Sequence, residues 1–213
     1  MKLLRIVPFV IVAVVFAALG AKPGAQVLAQ GVADLNAMPE AELAKLPGFT
    51  PAIAKGFIDK RPFATIVDAN TFLTSQGLTA DQTAKIYETA FVHLNLNTAT
   101  SPEIMLIPRI AKRMTREFEE YRPWKTVAQF DKEIGKYVGA DETNRLKKYV
   151  FIPIDLNTAT DEQILSIPGI AKRMTGEFKE YRPWKTREQF MKEIGKYVGE
   201  KEAARLWRYV AIN

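Results

Sequence analysis

The fold is read from residues 156–184. They run Leu156-Asn157-Thr158-Ala159-Thr160, then Ile167-Pro168-Gly169-Ile170-Ala171-Lys172-Arg173, then Tyr181-Arg182-Pro183-Trp184. Thr160 followed three residues later by Gln163 is a capping box, which starts a short helix. Pro168-Gly169 ends that helix, because Gly supplies the positive φ of a tight turn and Pro suits the position before it. Sixty residues earlier the stretch recurs as Leu96-Asn97-Thr98-Ala99-Thr100 through Tyr121-Arg122-Pro123-Trp124. There Thr100 and Glu103 form the capping box. Ile110, Met114, Phe118 and Tyr121 follow at spacings of four, four and three, which is one apolar stripe on a second helix.

Outward from this stretch, residues 95–154 and 155–213 align without a gap and are about two-thirds identical. Thr126 with Gln129, and Thr186 with Gln189, start a third helix carrying Phe130, Ile134 and Val138 in the earlier copy. A turn at Gly139 or Gly199 leads to a fourth, with Leu146, Tyr149 and Val150. A more diverged first copy spans 34–94, where Leu35-Asn36, Leu46-Pro47-Gly48 and Arg61-Pro62-Phe63 hold the matching places. No stretch alternates as a sustained strand. The expected class is all-α, three tandem modules of about 60 residues sharing packing, since one alone would be marginal.

Residues 1–29 are of another kind. Lys2 and Arg5 precede an apolar run from Ile6 to Leu19, and small residues and Pro23-Gly24 follow. This matches a secretory signal, with cleavage after Ala29 or near Ala25. The run is shorter than the roughly 20 residues of a spanning helix. The expected location is therefore periplasmic or extracellular, or the inner membrane if the segment stays uncut as an anchor.

Composition sets limits. The 213 residues include no Cys and one His, which excludes disulfides, thiolate metal sites, thiol nucleophiles, lipid attachment through Cys and His-rich centres. Removal of Lys2, Arg5 and Lys22 with the signal lowers the formal charge from +6 to +3. That charge is uneven: residues 35–94 net −1, 95–154 net +3 and 155–213 net +2.

The helix, Leu/Ile-Pro-Gly-apolar turn and second helix resemble the helix-hairpin-helix motif. Two per module, opened by Leu-Asn-Thr-Ala-Thr, resemble the periplasmic DNA-binding domain of ComEA-type DNA-uptake proteins, over essentially all of 34–213. The resemblance implies sequence-independent binding to DNA backbone phosphates, with a monovalent cation at the hairpin carbonyls in some members and no other cofactor. The same family includes a non-DNA-binding case, the small extrinsic helix-hairpin-helix subunit of oxygenic photosystem II.

On these residues the candidate phosphate contacts are Gly169, Ile170, Ala171, Lys172 and Arg173 in the third module. In the second they are Arg109, Lys112 and Arg113, with Gly139 and Gly199 at the second hairpins. Helix N-terminal amides attract phosphate, and Lys or Arg there adds charge-assisted contacts. The sequence also departs from the family. A second hairpin Gly is replaced by Thr50, Ala111 and Ala171, and the first Gly of module two is Arg109, where retention of the turn would strain a non-Gly residue and a change of turn type would avoid it.

Tyr121, Trp124, Tyr181 and Trp184 follow the apolar stripe and read as core or cap rather than as base-stacking platforms. His93, at a module junction, reads as structural. No P-loop, metal-ligand spacing or nucleophile elbow is present, so a non-catalytic protein is expected. The expected partner is the DNA backbone. The alternative is an envelope protein complex for which the same fold serves as structural or adaptor subunit, with the membrane involved only if the N-terminal helix is retained.

Overall fold

The computed structural model describes residues 31–213, so the signal or anchor read at 1–29 lies outside it. The protein is mostly helical, and one order of elements occurs three times. The first set is β1 (Ala33–Asp34), α1 (Glu40–Leu43), α2 (Pro51–Lys60), α3 (Ile66–Ser75), α4 (Ala80–Tyr87) and β2 (Ala90–Phe91). The second is β3 (Leu94–Asn95), α5 (Ser101–Ile104), α6 (Arg113–Glu120), α7 (Val127–Leu146), a 3-10 turn at Lys147–Tyr149, and β4 (Val150–Phe151). The third is β5 (Ile154–Asp155), α8 (Asp161–Leu165), α9 (Met174–Glu180), α10 (Arg187–Val198), α11 (Glu200–Trp207) and β6 (Val210–Ala211). Helix α7 is broken at Gly139, whose φ of 76° is not helical, so it corresponds to α10 and α11 together.

The strands are a departure from the sequence reading. Each set is closed by its last strand pairing parallel to its first: Ala33 with Ala90, Leu94 with Val150, Ile154 with Val210. A two-residue strand is too short to show alternation. These pairs begin one residue ahead of the boundaries at 34, 95 and 155. Val150, expected on the fourth helix, lies instead in a closing strand, as does its counterpart Val210. Helices α5 and α8 also stop at Ile104 and Leu165, several residues before the prolines that were expected to end them.

The signature residues brace the fold. Asn97 accepts from the Trp124 backbone N–H at 2.6 Å and returns a bond to the Trp124 carbonyl at 3.0 Å. Asn157 does the same with Trp184, and Asn36 with Phe63. The arginine after the second helix closes the other side. Arg182 donates to the carbonyls of Leu156 and Ala159, each at 2.7 Å, and Arg122 donates to those of Leu96 and Ala99. Trp124 and Trp184 are buried, each donating its indole N–H to a carbonyl, Phe118 at 2.8 Å and Phe178 at 2.7 Å. The Leu-Asn and Tyr-Arg-Pro-Trp signatures thus tie the second and third sets to their opening loops, and Leu35-Asn36 with Arg61-Pro62-Phe63 does so in the first.

Packing is not shared equally. The apolar residues of the first two sets form one continuous core, from Val32 to Ile152, while Phe151 and the third set form a second. Aromatic contacts join neighbours: Phe91 meets Tyr149 edge-on at 5.2 Å, and Phe151 meets Tyr209 at 4.5 Å. The third set also returns to the first. Tyr209 Oη donates to Asp34 Oδ2 at 2.6 Å, and Lys201 Nζ donates to the Asp59 carbonyl at 2.9 Å. No described helix is long and apolar enough to cross a membrane.

Candidate nucleic-acid interface

Each set of helices makes two sharp turns. The first turns carry Gly48, Arg109 and Gly169 at φ of 79°, 57° and 70°. In each, the next residue's N–H bonds the carbonyl two residues before the turn: Phe49 to Leu46, Ile110 to Ile107, Ile170 to Ile167. The turn therefore does not switch type in the second set, and Arg109 takes up the left-handed conformation itself. That costs about 1 kcal/mol or more relative to Gly.

Surroundings distinguish the turns. A side chain at Gly48 would meet Gln82 Nε2 at 2.8 Å, and one at Gly169 would meet Ala37 Cβ at 3.1 Å. The carbonyl of Pro168 accepts from Arg205 Nη1 at 2.6 Å. One flank of each of these turns is thus packed, the third set's against the first set. At the second turns, Gly77, Gly139 and Gly199 (φ of 88°, 76° and 81°) face open space.

The basic segments lie between the two turns. Ala111, Lys112 and Arg113, like Ala171, Lys172 and Arg173, are exposed, whereas Ile170 is partly buried against the core. Arg113 stacks its guanidinium over Tyr137 at 4.4 Å, and Arg173 Nη2 donates to the Tyr197 carbonyl at 3.2 Å. Tyr137 and Tyr197 stand two residues before Gly139 and Gly199, so the fold brings the basic segment of the first turn beside the second turn. The tyrosines are tied in pairs, Tyr121 to Tyr137 at 2.8 Å and Tyr181 to Tyr197 at 2.9 Å. These bonds, with the neighbouring glutamates, hold the Tyr137 and Tyr197 hydroxyls above their usual range, so they remain neutral.

Counter-charges decide which cations are free. Glu117, buried, pairs with Arg113 at 3.3 Å and Arg116 at 3.2 Å. Burial acts to raise its pKa, but hydrogen bonds from Tyr137, Arg116 and Arg113 outweigh that and keep it ionised. In the third set Gly176 stands where the second has Arg116, and Arg173 bonds a backbone carbonyl instead. Among the described residues no ion pair involves Lys112, Lys172 or Arg173. Acids stand close after the second turns, Asp141 and Glu142 beyond Gly139, Glu200 and Glu202 beyond Gly199. They occupy the positive helix ends that a phosphate would otherwise seek.

No family model, curated protein or solved structure matches the chain in such comparisons. The functional reading rests on the residues themselves.

Trp124 and Trp184 lie in the core, where no base can stack on them. His93 is buried, with Nε2 3.1 Å from the Val32 carbonyl. The sequence reading overlooked the acidic residues that follow the second turns. It also missed the approach of Arg173 to Tyr197, a contact between residues 24 apart that no local pattern announces.

Proposed function

We propose that the chain is an exported, non-catalytic protein of helix-hairpin-helix modules that binds DNA by its backbone, without reading sequence. The observation carrying this reading is the exposed Ala-Lys-Arg segment that recurs sixty residues apart, at Lys112-Arg113 and Lys172-Arg173, each beside a second turn. Cations at the start of a hairpin helix are the elementary means of gripping phosphate, and of these four all but Arg113 are in no ion pair among the described residues. The modules with net charge +3 and +2 carry the contacts, and the slightly acidic first copy serves as support. Two weak sites on one chain reinforce each other when a duplex spans both.

The test is a titration of residues 30–213 with duplex DNA at several salt concentrations. Affinity falls steeply with salt, and Lys172→Ala with Arg173→Ala lowers the slope of log K against log salt by about two. The matching pair Lys112→Ala with Arg113→Ala costs less, because Arg113 is already committed to Glu117 and Tyr137. Salt-insensitive binding overturns the reading. N-terminal sequencing of protein recovered from the cell envelope tests export, with a mature start at Gln30 or Gln26.

A second reading has its own observation. The packed flank of Gly169 and the acids beyond Gly139 and Gly199 suit a structural subunit docking to an envelope protein complex. Co-purification with envelope proteins and no shift of a DNA probe decides for it.

A further inference from the structure

The buried groups around His93 serve neither the phosphate reading nor the braces of the individual modules. His93 stands between β2 and β3, 2% exposed, where all three sets of helices meet. Its Nε2 bonds the Val32 carbonyl ahead of β1, and its own carbonyl accepts from Arg208 Nη2 of the third set at 3.0 Å. Nδ1 is buried without a hydrogen-bond partner. The charged groups that act on the ring are Asp34 of β1 and Arg208 beyond α11. Tyr209 and Arg205 lie behind Asp34, the hydroxyl bonded to it and Arg205 Nη1 3.7 Å away.

We propose that His93 is an acid-sensitive pin: protonation of its ring loosens the third set of helices from the first two. A second proton would create a buried N–H donor with no acceptor, on a cation facing Arg208. An unsatisfied buried donor and an unpaired buried charge are both costly, and opening the junction to water relieves both. Burial lowers the pKa below the ordinary 6.5, and Asp34 offsets this only in part. The open state, with its ring in water, titrates near the ordinary value. The closed junction is therefore fully favoured above about pH 6.5 and loses ground as pH falls toward the lowered pKa. The third set has a core of its own, so it can come away without unfolding. Nothing in this depends on what the modules bind.

The experiment is hydrogen exchange of residues 31–35 and 205–211, corrected for intrinsic rates, from about pH 8 to about pH 4, with amides of α10 as the control for global unfolding. Below pH 6.5 the opening constant rises by up to ~tenfold per pH unit at the junction and not in α10. Two charge variants leave the onset, which the open ring sets, and move in opposite directions the pH at which the rise levels off, which the buried ring sets. Asp34→Asn, which copies the residue the second set holds at Asn95, removes the stabilising carboxylate and shifts the levelling-off to lower pH, so the total rise is larger. Arg208→Gln removes the facing cation and shifts the levelling-off upward, so the total rise is smaller. His93→Gln abolishes the slope, and if that variant does not fold the two charge variants still decide. A junction opening constant independent of pH, or a levelling-off and total rise unchanged in both charge variants, overturns the proposal.

Discussion

The second and third sets of helices are nearly the same sequence in two different settings, and the setting decides what equivalent residues do. Tyr149 and Tyr209 occupy the same place. Tyr149 lies in the core that the first two sets share, edge-on to Phe91 with Arg145 over its ring. Tyr209 meets Phe151 and donates a hydrogen bond from its hydroxyl to buried Asp34. Arg145 and Arg205 both clasp a glutamate three residues earlier, yet only Arg205 also reaches a turn carbonyl, at Pro168. A repeat copies side chains; their partners belong to the neighbours. The second set is joined to the first by apolar packing, and the third is joined to the first largely by polar contacts.

The largest break in this comparison comes from the tryptophans. Trp124→Ala and Trp184→Ala each remove a ring buried to 1% exposure, at a cost of about 3–5 kcal/mol. The two losses spread differently. Trp184→Ala unfolds the third set alone, giving two transitions in denaturant, while Trp124→Ala brings down the first and second sets together. Exchange of α3 amides separates the cases, since α3 opens early only in the Trp124 variant. Equal protection of α3 in both would mean that the shared core is not a cooperative unit.

Next in size is the hydroxyl. Burial, with Asp34 beside it, holds Tyr209 well above the usual tyrosine value, so the group is a donor throughout the physiological range. Tyr209→Phe leaves a carboxylate that is 4% exposed short of a charge-assisted bond, and about 1.5–3 kcal/mol is lost. Tyr149→Phe, whose hydroxyl lies beside Arg145 and is bonded to no carboxylate, costs under about 1 kcal/mol. Chemical denaturation of both variants measures the difference, and equal losses would remove the distinction between the two junctions.

Local features of the fold were legible in sequence. The threonines at 100, 126, 160 and 186 stand at helix starts, and the stripe of Met114 and Phe118 faces the core. Both follow from interactions within four residues. What was not legible is nonlocal. Asp34 meets Tyr209 across 175 residues, and Lys201 meets Asp59 across 142. The Leu-Asn signature could be seen as a marker, but its role as a brace of Trp124 and Trp184 needs the chain to close first. The candidate site was half legible. Its cations were visible in the sequence, whereas the commitment of Arg113 and Arg116 to one buried glutamate depends on the tertiary burial of Glu117.

The smallest effect tests the turn that the two sets share. Arg109 holds φ of 57° with the same turn hydrogen bond that Gly169 makes at 70°. If geometry alone governs, Arg109→Gly relieves left-handed strain and stabilises the second set, by about 1 kcal/mol or more. Part of that gain is returned, because Gly also enlarges the freedom of the unfolded chain. The reverse change sharpens the point. Gly169→Ala imposes the same strain and also presses a methyl to 3.1 Å from Ala37, so it destabilises by more than Arg109→Gly stabilises. Denaturation midpoints of the pair give opposite signs with the larger magnitude at Gly169. Equal magnitudes would show that Ala37 yields freely, and that the third set rests on the first at this point without being held there.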